Sequence, residues 1–186
     1  IQYYDTKLNY RNIIHGKNVI ASKYIINPYL FNGKKFHLRM YYMISYIEKV
    51  FNSFLMDYGK ILTAYLPYTT DLPFIKEIHD THQKSSENDY FYPEELEKYN
   101  NIKENKKQLD LNIFHKDIKT ICKTLSKILI NSKIPYTYHN DENCFKVIGI
   151  DIMIDADTMK PIILECNNYP GYNFNSNPLT KEGIEL

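Results

Sequence analysis

Six residues in two distant stretches have the types and spacing to hold an anion and a metal ion. In "GKKFHLRMYYMI", residues 33–44, Lys35, His37 and Arg39 recur at every second position. Side chains of a strand alternate between its faces, so these three share one face, followed by Tyr41. Phe36, Leu38, Met40, Tyr42 and Ile44 share the other. Three donors in line suit phosphate or carboxylate oxygens, and the planar guanidinium of Arg39 can grip such a group with two hydrogen bonds. The second stretch, "GIDIMIDADTMKPIILECNNYPG", residues 149–171, carries Asp151, Glu165 and Asn167 inside apolar runs. A hairpin centred near Thr158 sets Asp151 opposite Glu165, with Asn167 pointing the same way as Glu165. Like charges directly opposite destabilise a sheet, and a divalent cation between them would offset the repulsion. Two carboxylates and an amide oxygen are hard ligands that fit Mg²⁺ bridged to nucleotide phosphates better than a closed calcium cage. Each stretch also has a plainer reading, as a solvated strand face or an edge protected by lysine. Taken together they read as the phosphate half and the metal half of one nucleotide site.

The elements that must position these residues follow from hydrophobic period and turn chemistry. "NVIASKYI", residues 18–25, reads as a strand and "INPYLFNGKK" as a loop. Residues 35–47 alternate over a long strand. A strand pair at Phe51–Asp57 and Lys60–Leu66 is expected, with Asp57, Tyr58 and Gly59 as its turn. Residues 71–112 are charged and poor in aliphatics, a long excursion with a short helix near Pro93–Tyr99. Ile113, Phe114, Ile118, Ile121, Cys122, Leu125, Ile128 and Leu129 recur at helical spacing and predict an amphipathic helix over 113–131, ended by Asn131 and Pro135. Strands at 145–154 and 161–167 form the acid hairpin, with Ile150, Ile152 and Ile154 facing the core alongside Ile162, Leu164 and Cys166. Met153 and Asp155 fall on the acid face with Ile163. Strands, a helix and a hairpin in that order give an α+β fold with helices on one face of an antiparallel sheet.

A chain of 186 residues that is 44% apolar supports one domain or part of a larger one. Lys and Arg number 23 against 22 Asp and Glu, so no global field argues for nucleic acid. Charged partners must be met by local clusters. Cys122, Cys144 and Cys166 are odd in number and widely spaced, which predicts buried free thiols and a reducing, cytoplasmic compartment. No apolar stretch is long enough for a membrane-spanning helix, and the first residues are neither a signal nor a transit peptide. The chain lacks an initiator Met and is expected to be a fragment.

"SKYIINPYLFNGKKFHLRMYYMI" followed by "GIDIMIDADTMKPIILECNNYPG" resembles the tubulin–tyrosine ligase-like family of the ATP-grasp superfamily. That family shows a Q-K-Y-I hinge, then P-L-L, then G-x-K-F-D-L-R, and later G-x-D-x-M-x-D and L-x-E-x-N-x-x-P. The resemblance covers about residues 18–70 and 144–171 and implies an incomplete ATP-grasp domain over 18–177. Polar residues 1–17 precede it and the start of a helix at 178–186 follows it. It implies that backbone groups of Ser22, Lys23, Tyr24 and Ile25 pair with adenine and that Lys35 and His37 face ribose or phosphate. Arg39 would bind the acyl phosphate or the incoming carboxylate, and Asp151, Glu165 and Asn167 would hold Mg²⁺. It implies ATP and an amino acid as substrates, and tubulin or another protein tail as acceptor. A carboxylate activated as an acyl phosphate would be attacked by an amine to give an amide.

Three departures stand out. His37 replaces an acid, and Leu62 stands where an Arg contacting the transferred phosphoryl group is usual. Lys60 is nearby but is expected on the wrong strand face to replace it. "IHDTH", residues 78–82, is loosely similar to a family H-L-T-N run; His79 and His82 read either as metal ligands or as solvated loop residues. The family's Gly-rich phosphate loop lies upstream of the hinge and residues 1–17 hold none, so either the chain is a fragment or the site is incomplete. Three functions therefore stand at this level: an active ligase, a degenerate relative that binds without ligating, and an α+β interaction domain whose acids are coincidental.

Overall fold

The computed structural model describes residues 22–48, 50–71, 75–81, 90–99, 105, 107–131 and 144–170. The chain order is β1 (Leu30–Phe31), β2 (Lys34–Ile47), β3 (Val50–Thr63), α1 (Lys76–His79), β4 (Tyr90–Tyr92), α2 (Glu94–Tyr99), α3 (Leu111–Asn131), β5 (Cys144–Ile154) and β6 (Pro161–Asn167). One antiparallel sheet runs β4-β3-β2-β5-β6, with β1 hydrogen-bonded to β2. The α+β class and the antiparallel sheet are as expected. The segments at 1–17 and 178–186 lie outside the described residues.

The central strand β2 behaves as its alternation demands. Phe36, Leu38, Met40 and Tyr42 are buried together with Ile150, Ile152 and Ile154 of β5 and Phe114, Ile118 and Cys122 of α3. Apolar area taken from water on this face is the main force that clamps helix to sheet. Asp110 caps α3: its Oδ1 accepts the backbone N–H of Asn112 at 2.9 Å and of Ile113 at 3.0 Å. Such a cap satisfies donors that the first turn leaves orphaned. The buried stripe is narrower than the apolar residues of α3, since Ile113 and Ile128 are exposed.

Several expected elements take another form. Of the strand expected over residues 18–25, residues 22–25 carry none and 18–21 lie outside the described residues. The loop before β2 holds a tight hairpin, with Leu30 opposite Lys35 and Phe31 opposite Lys34. Asn32 and Gly33 turn it with φ of 50° and 69°, the two positive values that an Asn-Gly hairpin turn uses. Phe51–Asp57 and Lys60–Leu66 are not two strands. The strand β3 runs unbroken through Asp57, Tyr58 and Gly59, and the reversal lies beyond Ile47, at Glu48, whose φ is 50°. Gly59 serves close packing instead of a turn. A Cβ there would sit 2.6 Å from Met40 Sδ and 2.7 Å from the Arg39 carbonyl oxygen. The ladder shifts at the same place, Met40 pairing with Gly59 but Tyr42 with Leu55, so β3 bulges.

The acid hairpin forms in the expected register, with Asp151 opposite Glu165. A second bulge follows, pairing Ile152 with Ile163. It brings Ile163, not Leu164, against the core and leaves Leu164 exposed. Cys166 is exposed, against expectation, while Cys122 is buried; both thiols are free. Within the 71–112 excursion the helix near Pro93–Tyr99 appears as α2, and β4 adds an edge to β3. Asn105 ties the excursion back to β1: its amide oxygen accepts from Leu30 N at 3.0 Å and its amide nitrogen donates to Leu30 O at 2.8 Å. Among the described residues no helix is long and apolar enough to cross a membrane.

Candidate functional site

The face of the sheet away from α3 carries the charges. Register places Lys60 of β3 opposite Arg39, Arg39 opposite Asp151, and Asp151 opposite Glu165. Directly opposed residues share a face, so one row crosses four strands with two cations followed by two acids. Lys60 was expected on the wrong face. It shares the face of Arg39, and Leu62 lies beside it opposite His37. Period-two alternation from Leu62 was enough to find this.

At the centre of the row Asp151 is 0% exposed. A carboxylate there needs full compensation, because removing an ion from water costs several kcal/mol. Arg39 supplies it in fork geometry, with Nε bonded to Oδ1 and Nη2 donating to Oδ2 at 2.8 Å. This pairing raises the Arg39 pKa above its ordinary value against the opposing effect of burial. The Asn167 amide nitrogen donates to Glu165 Oε1 at 3.0 Å and lies 3.3 Å from Asp151 Oδ2, bridging the two acids. His37 is also fully buried. Its Nδ1 lies 2.6 Å from Thr81 Oγ1 and its Nε2 3.7 Å from Asp151 Oδ2.

Lys35 lies four residues before Arg39, at the start of β2. It is 7% exposed, with its Nζ donating to Tyr24 Oη at 3.0 Å and lying 4.3 Å from the centre of the Tyr24 ring. Burial pushes the ammonium pKa down to about 8, partly opposed by the charge of Asp80. Tyr24 Oη lies 2.6 Å from His79 Nδ1. His79 is buried between Tyr24 and Tyr68, whose rings meet it edge-on with centroids 5.7 Å away. The solvated reading of His79 is therefore wrong; His82 lies outside the described residues. The segment leading to β1 is tied down by Tyr68 Oη donating to Ile26 O at 2.6 Å, Ala156 N to Asn27 O at 3.0 Å and Tyr29 N to Ile154 O at 2.8 Å. Ser22 and Lys23 are exposed, and Ile25 is half-buried.

The fold thus gathers Arg39, Asp151, Glu165, Asn167 and His37 at one point, and Lys35 with Tyr24 at another on the same face. Thr81 and His79 complete the two groups, although little in the sequence marks them as partners. Among the described residues no three His, Cys, Asp or Glu side chains stand together as a metal-binding group. The candidate ligand set is two carboxylates and one amide, and its oxygen chemistry suits Mg²⁺, with Glu165 open to solvent.

Comparison with known proteins identifies the family. The model of the tubulin-tyrosine ligase family matches residues 5–182. The chain is 29% identical over 166 residues to the probable tubulin polyglutamylase TTLL9 of Rattus norvegicus, covering 86% of this chain and 35% of that protein. It is 29% identical over 160 residues to a probable alpha-tubulin polyglutamylase of Tetrahymena thermophila, covering 81% and 37%. It is 25% identical over 186 residues to a tubulin polyglutamylase of Danio rerio, covering 89% and 23%. The chain spans between about a quarter and about a third of the length of these relatives. With nearly every residue inside the family match, the chain belongs to the tubulin-tyrosine ligase family.

Proposed function

We propose that this chain carries the nucleotide- and metal-binding part of an ATP- and Mg²⁺-dependent ligase that adds an amino acid to a protein tail. Glutamate is the proposed amino acid and tubulin the proposed acceptor, in keeping with the polyglutamylases it resembles. The observation that carries this reading is the row of two cations and two acids across β3, β2, β5 and β6. Asp151, Glu165 and Asn167 would hold Mg²⁺, which when bound supplies positive charge to the phosphate oxygens. A half-turn of the Asn167 amide would present its oxygen in place of the nitrogen that now bridges the acids.

Arg39 has a double use in this scheme. In the structure it neutralises Asp151. With nucleotide present its fork can turn to a phosphate or carboxylate oxygen, releasing Asp151 as a ligand. Lys35 adds a second cation and the 22–25 backbone offers groups to adenine. His37 is bonded to Thr81 and fully buried, so it orients its neighbours instead of touching the base or sugar. In the proposed reaction the γ-phosphoryl group passes to a carboxylate oxygen, giving an acyl phosphate and ADP. The amino nitrogen of the incoming amino acid then attacks the acyl carbon, the bond to phosphate breaks, and the nitrogen loses its proton as the amide forms.

Thermal unfolding with Mg²⁺ and a non-hydrolysable ATP analogue tests the binding reading. A rise in midpoint that disappears in Glu165→Gln supports it, and no rise at any nucleotide concentration sinks it. A second reading is favoured by Leu62, which leaves no cation opposite His37. In that reading the chain binds nucleotide without ligating. Labelled-glutamate incorporation into tubulin separates the two: turnover by wild type excludes the second reading, and turnover gained only in Leu62→Arg establishes it.

A further inference from the structure

The buried Lys35 is held by a chain of polar contacts that the ligase scheme does not use. Its ammonium has only donors, so the Tyr24 oxygen must accept from it at 3.0 Å. That phenol has one proton of its own. At 2.6 Å from His79 Nδ1, it is satisfied by donating to the imidazole. The direction is then fixed from Lys35 through Tyr24 to His79, with His79 neutral and its proton on Nε2. The reverse polarity would make one phenol oxygen accept from two groups beside a buried cation, which is electrostatically worse. Burial first, and then the charge of Lys35, lowers the His79 pKa and keeps the ring neutral. The charged or titratable groups around the ring are Tyr24 before β1, Tyr68 after β3, Lys35 on β2, and Lys76 and Asp80 at the ends of α1, which pair with each other at 3.7 Å.

We propose that His79 is a positioning residue: through the Tyr24 hydroxyl it fixes the Lys35 ammonium on the charged face of the sheet, ready for a phosphate oxygen. The assignment of Lys35 to phosphate rests on the nucleotide reading above; the relay from His79 to Lys35 does not. The two tyrosine rings hold the imidazole from either side, so the acceptor atom is aimed by packing. Protonating His79 would turn Nδ1 into a donor, take that acceptor from the Tyr24 hydroxyl and loosen its hold on the ammonium. The phosphate site would then work in a pH window. Its alkaline limit is the loss of the Lys35 proton near 8. Its acid limit is the protonation of His79, below the ordinary histidine range.

Two readouts separate the relay from the ligand. The first is the titration of Lys35 followed by NMR of its side chain, with no ligand present. The wild-type midpoint near 8 is expected to climb toward the ordinary lysine value in His79→Phe and to stay in His79→Asn, whose amide oxygen can replace Nδ1 as acceptor. An unchanged midpoint in folded His79→Phe overturns the proposal. If that variant does not fold, Tyr24→Phe, which removes only the hydroxyl, takes its place with the same criterion. The second readout is binding of inorganic pyrophosphate by calorimetry between pH 5 and 9. His79→Phe is expected to weaken binding about tenfold at pH 7.5, while His79→Asn stays near wild type and loses the decline on the acid side. The ratio of variant to wild type at each pH cancels the protonation of pyrophosphate itself. Equal affinity of wild type and His79→Phe across the range overturns the proposal. If pyrophosphate binds none of them while the Lys35 midpoint still moves, the relay is upheld and the phosphate reading falls alone.

Discussion

Arg39 and Lys35 lie four residues apart on the same face of β2, and the fold handles their charges in opposite ways. Arg39 faces a buried carboxylate on the neighbouring strand and is held by a fork of two hydrogen bonds, so its charge is strengthened. Lys35 is nearly as buried as Asp151 but sits against a phenol hydroxyl and its ring, with Asp80 acting at a distance. Its charge is weakened, to a pKa of about 8. One cation is part of a closed ion pair that helps define the register between β2 and β5. The other is kept in a costly state by burial, which suits the phosphate-binding role proposed for it. The same alternating pattern thus yields a structural charge and a poised one, depending on what the adjacent strand and loop present.

The contrast can be broken from either end. The largest effect is expected for Arg39→Met, which leaves Asp151 buried without its partner and should cost about 3–5 kcal/mol in urea unfolding. Adding Asp151→Leu should recover much of that loss; no recovery would mean that the pair is not the main source of the cost. Lys35→Met should act in the opposite direction at pH 7. A fall in pKa from 10.5 to about 8 corresponds to about 3 kcal/mol of folding stability lost to burying the charge. The lost hydrogen bond to Tyr24 makes the net gain smaller. Between about 8 and 10.5 the unfolded chain holds this proton more tightly than the folded one, so wild-type stability rises relative to Lys35→Met and the advantage of the variant closes. Unfolding of both proteins at pH 7 and pH 9.5 checks the sign. Cys122 and Tyr92, whose pKa values burial pushes up to about 12, oppose this trend in absolute stability but cancel in the comparison.

Gly59→Ala tests the packing behind Arg39. Its new methyl would meet Met40 Sδ and the Arg39 carbonyl oxygen, and a loss of about 1–3 kcal/mol is expected in the same assay. Asn167→Leu removes the amide that bridges Asp151 and Glu165 and should cost about 1 kcal/mol. A loss that grows when Mg²⁺ and nucleotide are added would tie the amide to the metal reading.

Much of the frame could be read from periodicity. The 3.6-residue spacing of Phe114, Ile118 and Cys122 gave α3, and alternation gave β2, β5 and β6 within a residue or so. The Asp151–Glu165 register followed from counting outward from Thr158. Local signals with two meanings misled. Gly59 beside Asp57 and Tyr58 reads as a turn, yet a glycine inside a strand also permits close backbone approach, and neighbouring strands chose the second use. The Asn32-Gly33 dipeptide marks a turn, but only two residues pair on one side of it, too few for an alternating pattern.

The sequence by itself determined which residues share a face, because side-chain alternation is a property of the single strand. It placed Lys35, His37 and Arg39 together, and Asp151 with Glu165 and Asn167, before any contact was known. The tertiary structure decided which charge answers which. Arg39 and Asp151 are 112 residues apart, and only the pairing of β2 with β5 makes the guanidinium the partner of that carboxylate. Lys35 likewise meets Tyr24 and His79 only because segments before β1 and after β3 close over the strand end. Electrostatic compensation depends on distance and burial, and both are set by how strands and loops pack against one another.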